Sequence, residues 1–141
     1  MPASLLNLIS TPIPILNSLG LEASVGLSSE DPWGGRRPSE PYAAYLTIYT
    51  PEGRFAARVS LGEIPPHRRR LVNLTELTKA YVSDRDHLTV VHRIPQRLLA
   101  QGRRPEEMVD LAPEDREFPF FRAVVQYAFP GGPNGSVVYE A

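Results

Sequence analysis

The chain contains no cysteine. Disulfide bridges, thiolate metal sites and cysteine nucleophiles are therefore excluded. A chain of 141 residues does not need such cross-links, because a domain of this size buries about two thirds of the surface that its unfolded form exposes. The absence of cysteine is consistent with a reducing compartment, and we expect a cytoplasmic location.

The chain also lacks a strong net charge. Its 15 basic and 16 acidic residues give a formal net charge of -1. A near-neutral domain has no global field that would attract nucleic acid or an anionic membrane, so we predict no nucleic-acid partner. Lys79 is the only lysine, and this excess of arginine indicates a GC-rich genome.

No uninterrupted apolar run is long enough for a membrane helix, although Met1–Leu27 is rich in leucine and isoleucine. No basic residue lies near Met1, and Pro12 and Pro14 interrupt the run, which argues against a secretory signal. We therefore predict no membrane insertion, with secretion by another route as the open alternative. We interpret Met1–Leu27 as an extended apolar arm.

The apolar arm must pack against protein, because disordered segments are poor in large apolar side chains. It can add along an edge of its own sheet, or cross to a neighbouring subunit and add there. We favour the crossing, which predicts a stable homo-oligomer. The residues expected to make the interaction are Leu5, Leu8, Ile9, Ile13, Ile15 and Leu16.

From Tyr42 onward, apolar and polar residues alternate with the period of a β-strand. The alternation continues on both sides of the turn PEG, which predicts a β-hairpin at residues 42–61. RRRLVNL and His87–Arg93 are further strand candidates, the second because of its branched residues. Phe120–Phe129 and SVVYE form a second predicted hairpin across the turn PGGPNG.

Short helices are predicted between the strands. Asn73, with Glu76 three residues later, resembles a capping box at the start of a helix. Pro95 and Gly102 stand where a second helix can begin and end, and Pro105 repeats this pattern. Long crossover helices, which a parallel sheet requires, are missing.

We therefore predict a mostly β fold, an antiparallel β-sandwich or small barrel with a few short helices. The predicted organisation is an arm at residues 1–27, a loop or linker at residues 28–41 and a sandwich domain at residues 42–141. Alternation within the strands predicts one buried cluster, so that Leu88→Ala should destabilise the protein by about 2–5 kcal/mol. The predicted cluster consists of Leu46, Ile48, Phe55, Val59, Leu88, Val90 and Val125.

Residues 42–95 carry a resemblance to a known class of domain. LTIYTPEGRFAARVSL, IPPHRRRLVNLTEL and HLTVVHRIP, in that order, resemble bacterial immunoglobulin-like β-sandwich modules. These modules run from strand through a Gly turn to strand, and then through a Pro-containing loop into a hydrophobic-Asn/Asp-Leu sequence. The resemblance implies a non-catalytic binding or spacer domain, commonly on a secreted protein. The chain departs from it by lacking an evident signal.

No group of residues predicts catalysis, a metal or a cofactor. His87 and His92 are five positions apart, so on a strand they point to opposite faces, and His67 is expected to be exposed. The GxSxG motif of serine hydrolases and the P-loop are absent from the sequence. The neighbouring carboxylates fall in polar loops or helix starts, where acidic residues are common. We assign no catalytic residue, no metal site and no cofactor.

His67, Arg68, Arg69 and Arg70 form the candidate binding cluster. On a strand, Arg68 and Arg70 face away from Arg69, and a charged run at a sheet edge prevents pairing with another edge. We favour this solvated-edge interpretation. The alternative is an anion- or partner-binding patch, in which the planar guanidinium groups bind carboxylate or phosphate.

The predicted function is non-catalytic binding, as an accessory or structural subunit of a homo-oligomer or a larger complex. Its partner is then a protein or a second copy of the chain. The alternative is a small-ligand-binding β-barrel, or an enzyme with a pocket between its sheets. A deep pocket lined by polar groups would favour the alternative, and a flat apolar patch would favour the binding module.

Overall fold

A computed structural model of the chain describes residues 2–29, 40–116, 121–130 and 137–140. Most of the predicted linker at residues 28–41, and the turn PGGPNG after Pro130, lie outside the described residues. The described part is mostly β and antiparallel, as predicted, and its sheets do not close into a barrel.

The strands of the described segments form two four-stranded sheets and one small ribbon. In chain order they are β1 (Ala3–Ser4), β2 (Ser10–Ile15), β3 (Glu22–Ser29), β4 (Tyr42–Tyr49), β5 (Phe55–Ile64), β6 (Arg69–Asn73), β7 (His87–Pro95), β8 (Met108–Val109), β9 (Phe121–Ala128) and β10 (Val137–Glu140). Sheet I has the strand order β2-β7-β4-β5, and sheet II has the order β10-β9-β3-β6. The two-residue strands β1 and β8 pair with each other. Both predicted hairpins are confirmed as the pairs β4–β5 and β9–β10.

The core fills the space between sheet I and sheet II. Tyr42 and Phe121, one from each sheet, have ring centroids 4.5 Å apart, a separation typical of aromatic pairs. The Tyr42 hydroxyl donates a hydrogen bond to Ser28 O at 3.2 Å, so its polar end is satisfied inside the core. The buried core residues are Ile13, Ile15, Ala23, Val25, Leu27, Tyr42, Ala44, Leu46, Ile48, Leu61, Ile64, Leu74, Val91, Phe121, Ala123, Val125 and Tyr127.

The helical segments are short. They are α1 (Leu74–Thr78), α2 (Gln96–Leu99) and 3₁₀ turns at Leu5–Asn7, Asn17–Leu19 and Pro113–Arg116. Asn73 caps α1 as predicted, because its Oδ1 accepts a hydrogen bond from Glu76 N at 3.0 Å. Pro95 directly precedes α2, which confirms the second helix start. The helix predicted at Pro105 is wrong, since this segment turns and forms β8 against β1.

β7 buries the face opposite to the one predicted. Thr89 and Val91 are fully buried, whereas Leu88 is 40% exposed and Val90 is partly buried on the outer face. The assignment of Leu88 and Val90 to the core was therefore wrong. Adjacent valines at 90 and 91 gave this strand no single apolar face in the sequence.

The other predicted core residues divide into two groups. Leu46, Ile48 and Val125 are fully buried in the core, and Val59 packs against it. Phe55 is 57% exposed, and its assignment to the core was wrong. A register shift near the end of β4 changes the alternation across the hairpin there.

The predicted arm is part of the sandwich. β2 pairs with β7 in sheet I, and β3 lies between β9 and β6 in sheet II. Strands from the N-terminal segment therefore take part in both sheets within one chain. The crossing to a neighbouring subunit, and the homo-oligomer that it implies, stay predictions. The proposed interaction residues are used within the chain: Leu5, Ile13 and Ile15 are fully buried, and Leu8, Ile9 and Leu16 are partly buried.

We expect Leu46→Ala to lower the free energy of unfolding by about 2–5 kcal/mol, because it opens a cavity in the core. Leu88→Ala should cost about 1 kcal/mol or less, since this side chain remains partly in water. Urea denaturation of both variants, analysed with a common m value, measures the difference. Equal losses for the two variants would contradict the faces assigned to β4 and β7.

Candidate functional site

The outer face of sheet I carries side chains in regular rows across its four strands. Residues paired directly across antiparallel strands share a face of the sheet. Pro14 pairs with Leu88, and Tyr49 pairs with Phe55. The next row contains Pro12, Val90, Thr47 and Arg58.

Six apolar residues in these rows form a surface that we call the apolar patch. Phe55 is 57% and Leu88 is 40% exposed. Two prolines of the edge strand are also exposed, and the remaining two members are partly buried. Clustered exposure of this kind marks interaction surfaces, whereas single exposed apolar residues do not. The members of the apolar patch are Pro12, Pro14, Tyr49, Phe55, Leu88 and Val90.

The other half of the same face is covered by the chain itself. We call the two segments Ala3–Leu8 and Pro105–Val109 the cover. They are joined by the β1–β8 pairing and by a hydrogen bond from Leu5 N to Glu107 O at 3.2 Å. Apolar side chains of the cover pack with residues outside it in a second cluster, separate from the core. This cluster consists of Leu5, Leu6, Ile94, Leu98, Val109 and Leu111.

One chain of hydrogen bonds links both segments of the cover to sheet I. The Arg58 guanidinium donates to Glu106 Oε1 at 3.4 Å and to Thr47 Oγ1 at 3.2 Å. Thr47 Oγ1 lies 2.7 Å from His92 Nε2, and His92 Nδ1 lies 2.8 Å from Leu6 O. This series of hydrogen bonds therefore runs from Glu106 in one segment of the cover to Leu6 in the other.

These partners determine the tautomer of His92. The Leu6 carbonyl can only accept, so His92 Nδ1 carries the proton and donates it. Nε2 of the neutral ring then accepts from the Thr47 hydroxyl, whose oxygen accepts from Arg58. Neutral His92 is thus the form that completes the chain of hydrogen bonds.

The burial of the ring, nearby charges and a hydrogen bond all affect the pKa of His92. Burial lowers the pKa of His92 below its ordinary value of 6.5, and the positive charges of Arg58 and Arg93 lower it further. The hydrogen bond to Leu6 O acts in the opposite direction. The structure therefore favours the neutral ring near pH 7.

Arg93 lies between the sheets and is 2% exposed. Its guanidinium donates to Phe121 O at 3.1 Å and to Thr11 Oγ1 at 2.5 Å. Burial raises the pKa of the nearby Tyr42 hydroxyl above its ordinary value, and the charge of Arg93 opposes this rise. The sequence did not single out Arg93. Arg93 lies two positions after Val91 on β7, so both side chains share one face of the strand. This spacing is the signal that would have placed Arg93 on the face between the sheets.

Arg70 connects the edges of the two sheets. It pairs opposite Leu27, whose side chain is in the core, so Arg70 faces the gap between the sheets. Its Nη1 donates to Leu61 O in β5 at 2.5 Å. Gly62 has a φ of 91°, and a Cβ built there would collide with the Arg70 guanidinium.

The rest of the predicted basic cluster lies at the same edge. Arg69 is on the face of β6 opposite to Arg70, as the alternation predicted. His67 has a left-handed backbone with a φ of 61°, which the turn before β6 requires. An anion-binding role for these residues stays a prediction. All four members, His67, Arg68, Arg69 and Arg70, are exposed.

Among the described residues, the remaining titratable side chains do not assemble into a metal site. His87 and His92 lie on opposite faces of β7, as predicted, and His87 Nδ1 is bonded to Arg85 O at 2.9 Å. Within residues 2–29, 40–116, 121–130 and 137–140, no three His, Asp or Glu side chains are grouped as ligands for a metal ion.

An open cleft of about 400 Å³ lies between the start of β3 and α1. Glu22, Glu76, Lys79 and Asp84 contribute charged groups to its lining. Lys79 Nζ is 2.9 Å from Glu76 Oε1, and both side chains are more than half exposed. This ion pair of the cleft is therefore solvated rather than enclosed.

Comparison with known proteins gives no matching family model, no matching curated protein and no matching solved structure. The structure supports the immunoglobulin-like resemblance only in its coarse architecture, a mostly β chain with antiparallel sheets. Among the helices in the described part of the chain, none combines the length and the apolar character needed to span a membrane.

We expect Arg70→Ser to lower the free energy of unfolding by about 1 kcal/mol, because it removes a charge-assisted hydrogen bond to a backbone carbonyl at the edge of the core. Arg69→Ser is the matched control and should change it by less than about 0.5 kcal/mol. Thermal denaturation of both variants measures the two effects. A cost for Arg69→Ser as large as that for Arg70→Ser would contradict the proposed link between the sheets.

Proposed function

We propose that the protein is a non-catalytic binding module that engages another protein through the apolar patch. The observation that carries this proposal is the clustered exposure of apolar side chains on one sheet face, with Phe55 57% and Leu88 40% exposed. Association would remove these side chains from water, which is the main driving force in most protein complexes.

The shape of the patch favours a protein as the partner. Small ligands are bound in concave sites that bury most of their surface, whereas the patch is the face of a sheet. Its residues come from all four strands of sheet I. Since neighbouring strands are about 4.8 Å apart, the patch spans roughly 14 Å across the strands.

The chemistry of the face indicates what the partner presents. On the covered half, two leucines of a short turn, Leu5 and Leu6, already pack against the same sheet. On the exposed half, Arg58 places its guanidinium over the Phe55 ring, 5.3 Å from its centroid. We infer that the partner presents a short apolar segment with a carboxylate near it, because aromatic and arginine side chains together form strong contact points.

A ligand-binding barrel or an enzyme with a pocket between its sheets has less support. The space between sheet I and sheet II is occupied by core side chains and by the buried Arg93. The described sheets are open rather than closed into a barrel. The immunoglobulin-like character, the cytoplasmic location and membership of a larger complex stay proposals on the same footing as the binding function.

A partner is first identified by cross-linking from a photoreactive residue at Val90 in the full-length chain, and is then purified. We expect Phe55→Asp and Leu88→Asp each to weaken its binding by at least about tenfold, since each places a carboxylate in the apolar contact. Titration calorimetry with the purified partner measures the affinity.

Leu71→Asp is the matched control, because Leu71 is 69% exposed but belongs to sheet II. It should leave the affinity unchanged. Full affinity in both patch variants would overturn the proposal. Light scattering of the chain alone tests whether the partner is a second copy. A dimer that Phe55→Asp and Leu88→Asp abolish would identify the partner as this chain itself.

A further inference from the structure

We propose that His92 is a proton-controlled latch for the cover, so that mild acidification releases Ala3–Leu8 and extends the apolar patch over the other half of sheet I. The latch consists of Leu6, His92, Thr47, Arg58 and Glu106. The release of the cover does not depend on the proposed function. Its effect on partner binding rests on the proposed function.

The latch is sensitive to protons because its hydrogen bonds from Arg58 through Thr47 and His92 to Leu6 O are all donated in one direction. A second proton on His92 would occupy Nε2, which now accepts from the Thr47 hydroxyl. Thr47 would then receive donors from both His92 and Arg58, and its own proton would lose its acceptor. Thr47 is 1% exposed, so water cannot readily replace that acceptor.

The charged groups around His92 act in the same direction. Arg58 on β5 and Arg93 on β7 both oppose a positive ring through their charges. Glu106, the acidic member of the latch, is 3.4 Å from Arg58. Tyr45 on β4 pairs opposite His92 and contributes a phenol rather than a carboxylate. Protonation therefore brings a third cation to a site with one carboxylate.

Release of the cover would expose apolar surface next to the patch. Leu5 is fully buried and Leu6 is 6% exposed while the cover is in place. The row beneath contains His92 and Tyr45, and it adjoins the row that contains Val90 and Thr47. The newly exposed surface would thus be continuous with the apolar patch.

The direction of the pH effect follows from the two states of His92. In the released form its pKa returns toward about 6.5, and in the latched form burial holds it lower. Protons therefore bind the released form more strongly. Release is independent of pH well above about 6.5, increases by at most about tenfold per pH unit as the pH falls below it, and levels off below the pKa of the latched form.

Hydrogen exchange of the full-length chain tests the latch. The amides of Leu5 and Leu6 donate to Glu107 O and Pro105 O, at 3.2 and 3.1 Å. Their exchange therefore reports the separation of Ala3–Leu8 from Pro105–Val109. After correction for the intrinsic pH dependence of exchange, we expect their protection to fall several-fold between about pH 7.5 and pH 5.5. Amides of β3, which lies between β9 and β6, serve as the internal reference and should keep their protection.

Variants separate the latch from general acid destabilisation. His92→Asn retains a donor for the Leu6 carbonyl but cannot be protonated, so its protection should not depend on pH. His87→Asn, at the buried histidine on the other face of β7, should keep the wild-type pH dependence. Thr47→Val removes the donor to Nε2, so protection should already be lower at about pH 7.5 and should fall less on acidification, because the neutral form of His92 loses its advantage in the latched state.

Constant protection at Leu5 and Leu6 while NMR shows that His92 titrates would overturn the latch, and so would an unchanged fall in protection in His92→Asn. These measurements use no partner, so they can fail while the binding function stands. A pH-dependent cover with no loss of partner affinity in Phe55→Asp would retain the latch and remove only its link to the patch.

Discussion

The pairing of β2 with β7 is the contact on which the rest of the structure depends. It holds Ser10–Ile15 against the interior of sheet I, with Ile13 and Ile15 buried in the core. A hydrogen bond from Arg93 N to Ile9 O at 2.9 Å continues the pairing toward the N-terminus. The residues before β2 therefore reach the outer face of the same sheet, where Leu6 lies over His92. One backbone pairing thus completes the core and positions the cover.

Local signals in the sequence predicted local structure, and they did so for physical reasons. The β4–β5 hairpin was found because alternation and a tight turn lie in one continuous stretch. Asn73 was found because a cap is satisfied within three residues. The pairing of β2 with β7 joins distant parts of the chain, so the composition of the N-terminal segment showed that it is buried but not against which strand.

The candidate site was harder to predict than the fold. Leu88 and Val90 were assigned to the core from their alternation within the strand, but they lie on the outer face. Which half of that face is covered depends on where Leu5 and Leu6 pack. The contact of His92 with Thr47 likewise depends on cross-strand register, which the sequence pattern does not define.

The two prolines of β2 have a consequence for how the protein can assemble. The carbonyl of Ile9 points toward β7, so by alternation the backbone groups of Pro12 and Pro14 point away from the sheet. Among the described strands, β2 forms this border of sheet I, and because proline has no amide hydrogen the border offers acceptors but few donors. A further strand cannot form a regular ladder there. The protein can consequently keep an apolar sheet face in water without growing into open-ended fibres from that border.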